Sequence, residues 1–286
     1  MADIDVLVLG DTAWDTVVRT NKPLRFGHDM PAQIFAGPGG QGLNMAVSAN
    51  KENAKTALIT QIGCDDRSQF LRNWILQQGI ALPLLTEEEP LTQVVAVVRN
   101  DGERALLTDP GKGPLAWPPS PIQPRILLIS GYLLDRNDGA ERVTAWMKWA
   151  REQEATILLD AAHLRLAPQL AVMLEYADWL LANEEEWKAL GSPRSSAVLL
   201  KRGASGIVVM QANEKLQIPS PPGNIIDTTG AGDAVAGSFA AMLAKNRNPL
   251  EAATRAVLRG VETCGHLGAV CWENVNHPTW PEGRSL

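Results

Sequence analysis

The residues with the clearest chemical potential lie in the segment DTTGAGD, residues 227–233. An extended stretch leads into this segment and a helix of small residues follows it, so Gly230 and Gly232 allow a sharp turn close to a ligand. The free N–H groups of the first helical turn then form a site for an anion such as a phosphate. Asp233 places a carboxylate beside that site, where it could accept a proton from a substrate hydroxyl during phosphoryl transfer. The structural alternative is that Asp233 caps the helix.

A second glycine-rich segment allows two chemical interpretations. Residues Gly37–Gly42 match the pattern G-x-G-x-x-G, and Asp65 follows about 20 residues later, as in dinucleotide-binding proteins. The preceding strand, however, does not stand at the start of a strand–helix–strand unit. Alternatively, the backbone at Gly39 and Gly40 approaches a polyol, while the Asn44 amide exchanges hydrogen bonds with its hydroxyls.

The elements that position these segments follow an alternating pattern. Short apolar runs alternate with helical spacing of apolar residues, which predicts an α/β fold with a layered sheet. The predicted strands cover residues 5–9, 56–62, 125–130, 156–160, 178–182, 197–201 and 206–211. The predicted helices cover residues 66–78, 139–153, 168–176, 184–190, 232–245 and 249–264.

Two regions interrupt this alternation. Residues 12–34 and 93–108 have partly alternating, extended patterns without intervening helices, which predicts a small antiparallel sheet beside the main body. Residues 110–124 contain six prolines and are interpreted as a fixed connecting loop.

Composition excludes several functional classes. The chain has 286 residues, 45% of them hydrophobic, and a mean hydropathy of −0.09, which is typical of a folded, water-soluble protein. With a net charge of −6 and a pI near 5.3, it lacks the basic surface of a nucleic-acid partner. Its longest apolar stretch is about half of what a membrane span needs. The N-terminus has no signal-peptide pattern, so we expect a cytoplasmic protein without membrane contact.

The cysteines and histidines do not suggest a metal centre. The cysteines lack a C-x-x-C spacing and are expected to be reduced thiols, and no two histidines lie four residues apart. These residues are Cys64, Cys264, Cys271, His28, His163, His266 and His277.

The two glycine-rich segments together resemble the signatures of the ribokinase-like (PfkB) carbohydrate kinases. The first signature is Gly39-Gly40-x-x-x-Asn44-x-Ala46 and the second is the segment 227–233. The resemblance implies a single kinase domain over residues 1–286, built as a three-layer α/β/α sandwich with a mostly parallel central sheet. It also implies a small β-sheet lid formed by about residues 12–34 and 93–108, which covers the sugar and often pairs between subunits. A homodimer through the lid is therefore expected.

The resemblance assigns roles to the residues of the two signatures. It implies that Asp233 is the catalytic base and that the amides of three residues hold the transferring phosphate: Gly230, Ala231 and Gly232. It implies that the sugar is bound by Asp15, Gly39, Gly40 and Asn44, with Asp11 close by.

Further positions match the family's nucleotide and metal motifs. Asn183 and Glu186 resemble the Asn-x-x-Glu motif, which organises Mg²⁺ and the phosphates largely through water. Asp227 and the backbone of Thr229 match positions that hold a monovalent cation, such as K⁺, in some members. The nucleotide segment Thr-x-Gly-x-x-Gly corresponds to Lys201, Gly203 and Gly206.

Two residues depart from the family pattern. Lys201 stands where many members have Thr, which changes the expected contact with the nucleotide. Gln41 stands where ribose-using members commonly carry Lys, so ribose is not assigned as the substrate.

Structural alternatives stay open for several of these residues. Asn183 and Glu186 could form the cap and first turn of a helix, whereas Asp11 and Asp227 could each stabilise a turn. Asp160 and Arg165 could form a structural salt bridge or contact a ligand.

The resulting hypothesis is an ATP-dependent kinase that phosphorylates a hydroxyl of a small sugar or sugar derivative, with Mg²⁺ and possibly K⁺. The acceptor could instead be a nucleoside or a phosphosugar, for which Lys22, Arg25 and Lys112 are candidate cations. Alternatives from other classes are an NAD(P)-binding oxidoreductase that uses Gly37–Gly42, and a non-catalytic sugar-binding regulator.

Overall fold

A computed structural model describes residues 3–20, 22–86, 91–99, 104–111, 115–118, 122–136, 138–193, 197–212 and 214–270. The strands in this part of the chain are β1 Asp3–Leu9, β2 Ala13–Thr20, β3 Gln33–Gly39, β4 Thr56–Gln61, β5 Leu85–Thr86, β6 Thr92–Arg99, β7 Arg104–Asp109, β8 Gln123–Ser130, β9 Thr156–Asp160, β10 Trp179–Asn183, β11 Ala197–Lys201, β12 Ile207–Gln211 and β13 Glu214–Ile218. The helices are α1 Gln41–Lys51, α2 Asp66–Gln77, α3 Gly139–Glu152, α4 Ala167–Met173, α5 Glu184–Ala189, α6 Ala231–Ala244 and α7 Pro249–Cys264.

The central sheet has nine strands in the order β13-β12-β11-β10-β9-β8-β1-β4-β5. The seven strands from β11 to β5 are parallel, and only β12 and β13 at one edge pair antiparallel. The predicted α/β alternation is therefore confirmed. Because parallel strands end at the same edge of a sheet, residues that follow β1, β8, β9 and β11 are brought together there.

Helices cover both faces of this sheet. On β1, Val6 and Val8 belong to one hydrophobic core, whereas Leu7 and Leu9 belong to a second core on the opposite face. Helices α1, α2, α6 and α7 pack into the first core, and α3, α4 and α5 pack into the second. This arrangement confirms the predicted three-layer α/β/α sandwich.

A second, four-stranded sheet has the order β3-β2-β6-β7 and is called the small sheet below. It confirms that both interrupting regions contribute to a separate sheet. The prediction of a purely antiparallel sheet was wrong, because β2 and β6 pair in parallel. The bound at residue 34 was also too early, since β3 continues to Gly39. Pro38 is compatible with β3 because this is an edge strand, where the missing N–H interrupts no central ladder.

The cysteines and the lengths of the helices complete the description of the fold. Cys64 and Cys264 are free thiols, whereas Cys271 and His277 lie outside the described residues, as do three of the six prolines of the 110–124 segment. None of the helices that the structure describes combines the length and apolar character needed to cross a bilayer.

Candidate active site

The candidate site lies where the carboxyl edge of the central sheet meets the N-termini of α1 and α6. Asp11 follows β1, and three polar residues end neighbouring strands: Ser130 on β8, Asp160 on β9 and Lys201 on β11. A network of hydrogen bonds connects these residues to Gln41 and Asp233, as described below. The topology thus assembles a polar centre from segments far apart in sequence.

The turn before α6 is fixed by its own side chains. Gly230 precedes the helix with a φ of 74°, a left-handed conformation that favours glycine. Asp227 accepts hydrogen bonds from the backbone N (2.9 Å) and Oγ1 (2.7 Å) of Thr229 and from the backbone N of Gly268 (3.1 Å). Asp227 therefore stabilises the turn, as its structural alternative predicted. No side chain caps the first N–H groups of α6 within the described residues, which leaves Asp233 out of that role.

The Asp233 carboxylate instead points toward α1. Asn44 Nδ2 donates a hydrogen bond of 2.8 Å to Asp233 Oδ2, and Gln41 Nε2 lies 3.4 Å from Asp233 Oδ1. Removal of the carboxylate from water and the negative charge of Asp160 raise the pKa of Asp233 to about 7, against the lowering effects of Asn44 and Lys201. The carboxylate can thus exchange a proton near neutral pH.

Asp15 lies close to Asp233 on strand β2 of the small sheet. A Cβ atom at Gly39 would overlap the Asp15 carboxylate, so a larger residue there would displace that carboxylate. Removal from water, together with the charges of Asp11 and Asp233, raises the pKa of Asp15 to about 7. Asp15 Oδ1 and Asn44 Oδ1 are buried acceptors without a hydrogen-bond partner among the described residues. Such atoms need donors, and a ligand rich in hydroxyl groups would supply them.

Gly40 and Asp11 position the start of α1. Gly40 has a φ of 98°, and a Cβ atom there would lie 2.8 Å from the backbone N of Ala13. The Asp11 carboxylate accepts from the backbone N atoms of Gln41 (3.3 Å) and Gly42 (3.4 Å). Asp11 thus stabilises the N-terminus of α1, which is more than closing the turn after β1.

The dinucleotide interpretation of Gly37–Gly42 is wrong for this fold. The strand before these glycines is β3, which belongs to the small sheet and pairs antiparallel with β2. Dinucleotide binding requires that strand to start a parallel strand–helix–strand unit. Asp65, the acidic residue of that interpretation, caps α2 by accepting from the backbone N of Ser68 at 2.8 Å.

Sequence reasoning missed a hydrogen-bonded chain at the centre of the site. Gln41 Nε2 donates to Asp160 Oδ1 (3.2 Å) as well as lying near Asp233, and Ser130 Oγ donates to Gln41 Oε1 (2.5 Å). Lys201 Nζ lies 2.7 Å from Asp160 Oδ2. Asp160 is fully buried and does not pair with Arg165, which pairs with Asp135 instead. Of the two alternatives for Asp160 and Arg165, the salt bridge between them is therefore not formed.

Asn183 and Glu186 form a capping box at the start of α5. Asn183 Oδ1 accepts from the backbone N atoms of Glu185 and Glu186, each at 2.9 Å, and Glu186 Oε2 accepts from the backbone N of Asn183 at 2.8 Å. Burial and the nearby Asp160 raise the pKa of Glu186, although Lys201 acts in the opposite direction. The structural alternative is thus observed, and it places the Glu186 carboxyl beside Lys201 and Asp160.

The remaining predicted residues lie at or outside the periphery. Gly203 and Gly206 shape the turn between β11 and β12, with φ values of 54° and 87°. Lys22 and Arg25 are exposed in the segment between β2 and β3, and Lys112 lies outside the described residues.

Curated proteins that are similar to this chain include a ribokinase and a deoxyribokinase. The chain is 24% identical over 267 residues to a ribokinase of Bacillus subtilis, with 88% of this chain and 89% of that protein covered. It is 26% identical over 286 residues to a deoxyribokinase of Salmonella typhi, with 89% and 90% covered.

Solved structures share the fold. An adenosine kinase from Sinorhizobium meliloti superposes with a TM-score of 0.83 at 18% identity, with 94% of this chain and 96% of that chain covered. A ribokinase from Cryptococcus neoformans in complex with ADP gives a TM-score of 0.79 at 20% identity, with 95% and 96% covered. A sequence model of the pfkB family carbohydrate kinases matches residues 3–274. Because this match spans nearly the whole chain, the protein belongs to the PfkB family of carbohydrate kinases.

Proposed function

We propose that the protein transfers the γ-phosphoryl group of Mg-ATP to a hydroxyl group of a small, unphosphorylated sugar or sugar derivative. The observation that carries this proposal is the position of Asp233, whose pKa is about 7, between the N-terminus of α6 and the unpartnered acceptors of Asp15 and Asn44. A proton acceptor, a phosphate-binding helix end and a hydroxyl-binding pocket thus adjoin one another. The ADP bound to the related ribokinase structure is consistent with ATP as the donor.

The proposed reaction is an in-line transfer. Asp233 accepts the proton of the substrate hydroxyl as the hydroxyl oxygen bonds to the γ-phosphorus. The bond between that phosphorus and the β–γ bridging oxygen breaks, and ADP leaves with the bond's electron pair. The backbone amides of Gly230, Ala231 and Gly232 stabilise the negative charge on the phosphoryl oxygens.

The polar atoms of the pocket favour a neutral substrate. Asp11, Asp15 and Asp233 place three carboxylates around it, and two buried acceptor atoms await donors. Sugar hydroxyls donate hydrogen bonds to such groups, whereas an anionic phosphosugar would be repelled by them. Lys22 and Arg25, the candidate cations for a phosphosugar, are exposed. A nucleoside, which also carries sugar hydroxyls, remains compatible with this pocket.

The described residues are compatible with Mg²⁺ held largely through water. They contain no group of three acidic, histidine or cysteine residues arranged to hold a metal directly. Mg²⁺ retains several waters when it binds nucleotide phosphates, and Glu186 would accept hydrogen bonds from such waters. When bound, the Mg²⁺ ion would neutralise part of the negative charge of the phosphates.

Three further roles complete the proposal. Gly203 and Gly206 shape the loop that contacts the nucleotide. Asp227 and the backbone of Thr229 hold a monovalent cation, and comparison of turnover with and without K⁺ tests this role.

The small sheet closes over the sugar as a lid and pairs two subunits through its edge, where β7 carries the exposed Leu106 and Leu107. Light scattering with a Leu107→Lys variant tests the dimer.

The test of the proposed function is ADP release from Mg-ATP across a panel of free sugars, sugar acids, phosphosugars and nucleosides. We expect turnover with a neutral acceptor, and a loss in kcat of about 10²- to 10⁴-fold in Asp233→Asn. Asp66→Asn, a change of an exposed aspartate at the start of α2, is the matched control. Turnover in Asp233→Asn near the wild-type rate would reject Asp233 as the base.

A further inference from the structure

The Lys201 side chain occupies an unusual electrostatic position. It extends from the end of β11 into the polar centre, and only 16% of the side chain is exposed. Its ammonium nitrogen lies 3.6 Å from where a Cβ atom of Gly232 would stand, which places the ammonium beside the amides at the start of α6. The side chain is thus directed at the phosphate-binding helix end rather than along the nucleotide loop that follows β11.

Three carboxyl groups face this ammonium. Burial disfavours a charged lysine, but the charges of Asp160, Glu186 and Asp233 outweigh burial and raise the pKa of Lys201. Lys201 therefore stays protonated. The ammonium group of Lys201 has three N–H donors, and one of them donates a hydrogen bond to Asp160. Among the described residues the ammonium makes no other hydrogen bond. Two donors therefore remain for a ligand.

We propose that Lys201 is a catalytic residue that contacts the γ-phosphoryl group directly, held in place by Asp160. This proposal rests on the proposed kinase function and adds the cation that the reaction needs. The site otherwise presents carboxylates to a polyphosphate, so a fixed positive charge beside the amides of α6 offsets repulsion where the transferred group lies. Lys201 keeps its proton throughout, and Asp233 alone accepts the proton of the hydroxyl.

The same geometry predicts that a lysine placed at position 41 could supply this positive charge in place of Lys201. Gln41 Nε2 lies 3.2 Å from Asp160 Oδ1 and 3.4 Å from Asp233 Oδ1. A lysine at position 41 would therefore reach the same carboxylates from the α1 side. In this chain Gln41 is neutral, and Lys201 provides the charge from the opposite side of Asp160.

The test compares binding of Mg-ADP with binding of a Mg-bound ATP analogue that has an imido bridge between its β and γ phosphates, measured by calorimetry. In Lys201→Thr, we expect the Kd of the analogue to increase about 10- to 100-fold, as for loss of a hydrogen bond to a charged group. The Kd of ADP, which lacks the γ phosphate, should change no more than about threefold. Lys188→Met, a change of an exposed lysine on α5, is the matched control.

Two double variants separate this role from folding. Asp160→Asn/Lys201→Met removes both charges of the buried ion pair together, so it should fold while losing affinity for the analogue selectively. Gln41→Lys/Lys201→Thr should recover at least about tenfold of the affinity for the analogue that Lys201→Thr loses.

Equal weakening of ADP and analogue in Lys201→Thr, or no weakening of either, would overturn the assignment of Lys201. If either result accompanied normal turnover in the wild type and loss of turnover in Asp233→Asn, the proposed kinase function would stand and only the role of Lys201 would be rejected. A wild-type protein that binds neither nucleotide would overturn both proposals.

Discussion

At the scale of single residues, the environment of Asp233 balances two requirements. A base must hold a proton strongly enough to remove it from a hydroxyl, yet it must be free of protons when the substrate binds. Burial and Asp160 raise the pKa of Asp233, whereas the hydrogen bond from Asn44 lowers it, and the outcome is about 7. Asn44 therefore acts on the proposed base itself as well as lying in the proposed sugar pocket.

This balance predicts the pH dependence of turnover. Because Asp233 must be deprotonated, kcat/KM should fall about tenfold per pH unit below about 7 and level off above it. Asn44→Ala removes the hydrogen bond that stabilises the charged carboxylate, so the midpoint should move to higher pH. Measurement of kcat/KM from pH 5.5 to 9 in both proteins checks this, with Asp66→Asn as the control. A midpoint near 4 in the wild type would contradict the proposed environment of Asp233.

The limits of sequence reasoning are clearest for the polar partners of Asp233. Asp233 and Asn44 stand in recognisable glycine-rich segments, so the sequence predicted both as site residues, and the structure brings them within 2.8 Å. Gln41 and Ser130 were not predicted as site residues. The hydrogen bonds of Gln41 with Asp160 and with Ser130 join positions about 90 to 120 residues apart, and no local spacing encodes such contacts.

At the scale of elements, whether a helix or strand could be predicted from the sequence depended on how that element is buried. Strands of the central sheet alternate with amphipathic helices, and their bounds were predicted within about two residues, except that α4 ends three residues earlier than predicted. Helix α1 was not predicted, because residues Gln41–Ala49 are all buried and include the polar residues Gln41, Asn44 and Ser48, so no exposed polar face marks the helix. Strand β13 was missed for the opposite reason, since four of its five residues are exposed at the sheet edge.

The pairing of α1 with α6 determines the distance between Asn44 and Asp233. Gly237 on α6 faces the carbonyl oxygen of Met45 on α1, and a Cβ atom there would overlap that oxygen. The backbones of the two helices therefore approach each other closely, and Ser48 Oγ donates to the Ala234 carbonyl at 2.6 Å across the same contact.

Gly237→Ala should push the two helices apart. We expect a loss of about 1–3 kcal/mol in the free energy of unfolding, as for overpacking of a core, and a lower kcat because Asn44 and Asp233 separate. Denaturant titration and steady-state kinetics measure the two effects. Gly260→Ala on α7 is the control, since the added Cβ would lie 2.9 Å from a side-chain methyl group of Val235 and would not overlap the backbone. Similar losses in both variants would show that the close approach of the α1 and α6 backbones is not what matters.

At the scale of the whole molecule, the two ends of α1 and α6 differ in function: one end forms the candidate site and the other stabilises the helix layer. The N-termini of α1 and α6 carry the polar groups of the site, where unpartnered atoms and raised carboxyl pKa values cost stability. Beyond the C-terminus of α1, Glu52 connects α1, α6 and α7: it accepts from Ser238 Oγ (3.1 Å), Arg255 Nε (2.9 Å) and Arg259 Nε (2.8 Å). This cluster holds the helix layer in place without touching the site.

Glu52→Gln should therefore reduce stability and leave catalysis unchanged. Burial alone would raise the pKa of Glu52, but the hydrogen bonds from Arg255 and Arg259 outweigh burial and lower it. A carboxyl whose pKa is lowered on folding stabilises the protein above its ordinary pKa of 4.5, and this contribution disappears as pH falls through the lowered value. We expect the variant to lose about 2–3 kcal/mol of unfolding free energy at pH 7, because two partly buried guanidinium groups lose the more buried of their two carboxylate partners.

Glu262→Gln distinguishes a buried ion pair from a surface one on the same arginines. The Glu262 side chain is 49% exposed, whereas that of Glu52 is 8% exposed. Water screens the exposed pair, so its loss should cost less than about 1 kcal/mol. Denaturant titrations at pH 7 and below pH 4.5 should show a large gap between Glu52→Gln and the wild type that narrows in acid. Equal costs for the two variants, or a change in kcat for Glu52→Gln, would mean that this cluster does not act as a buried anchor separate from the site.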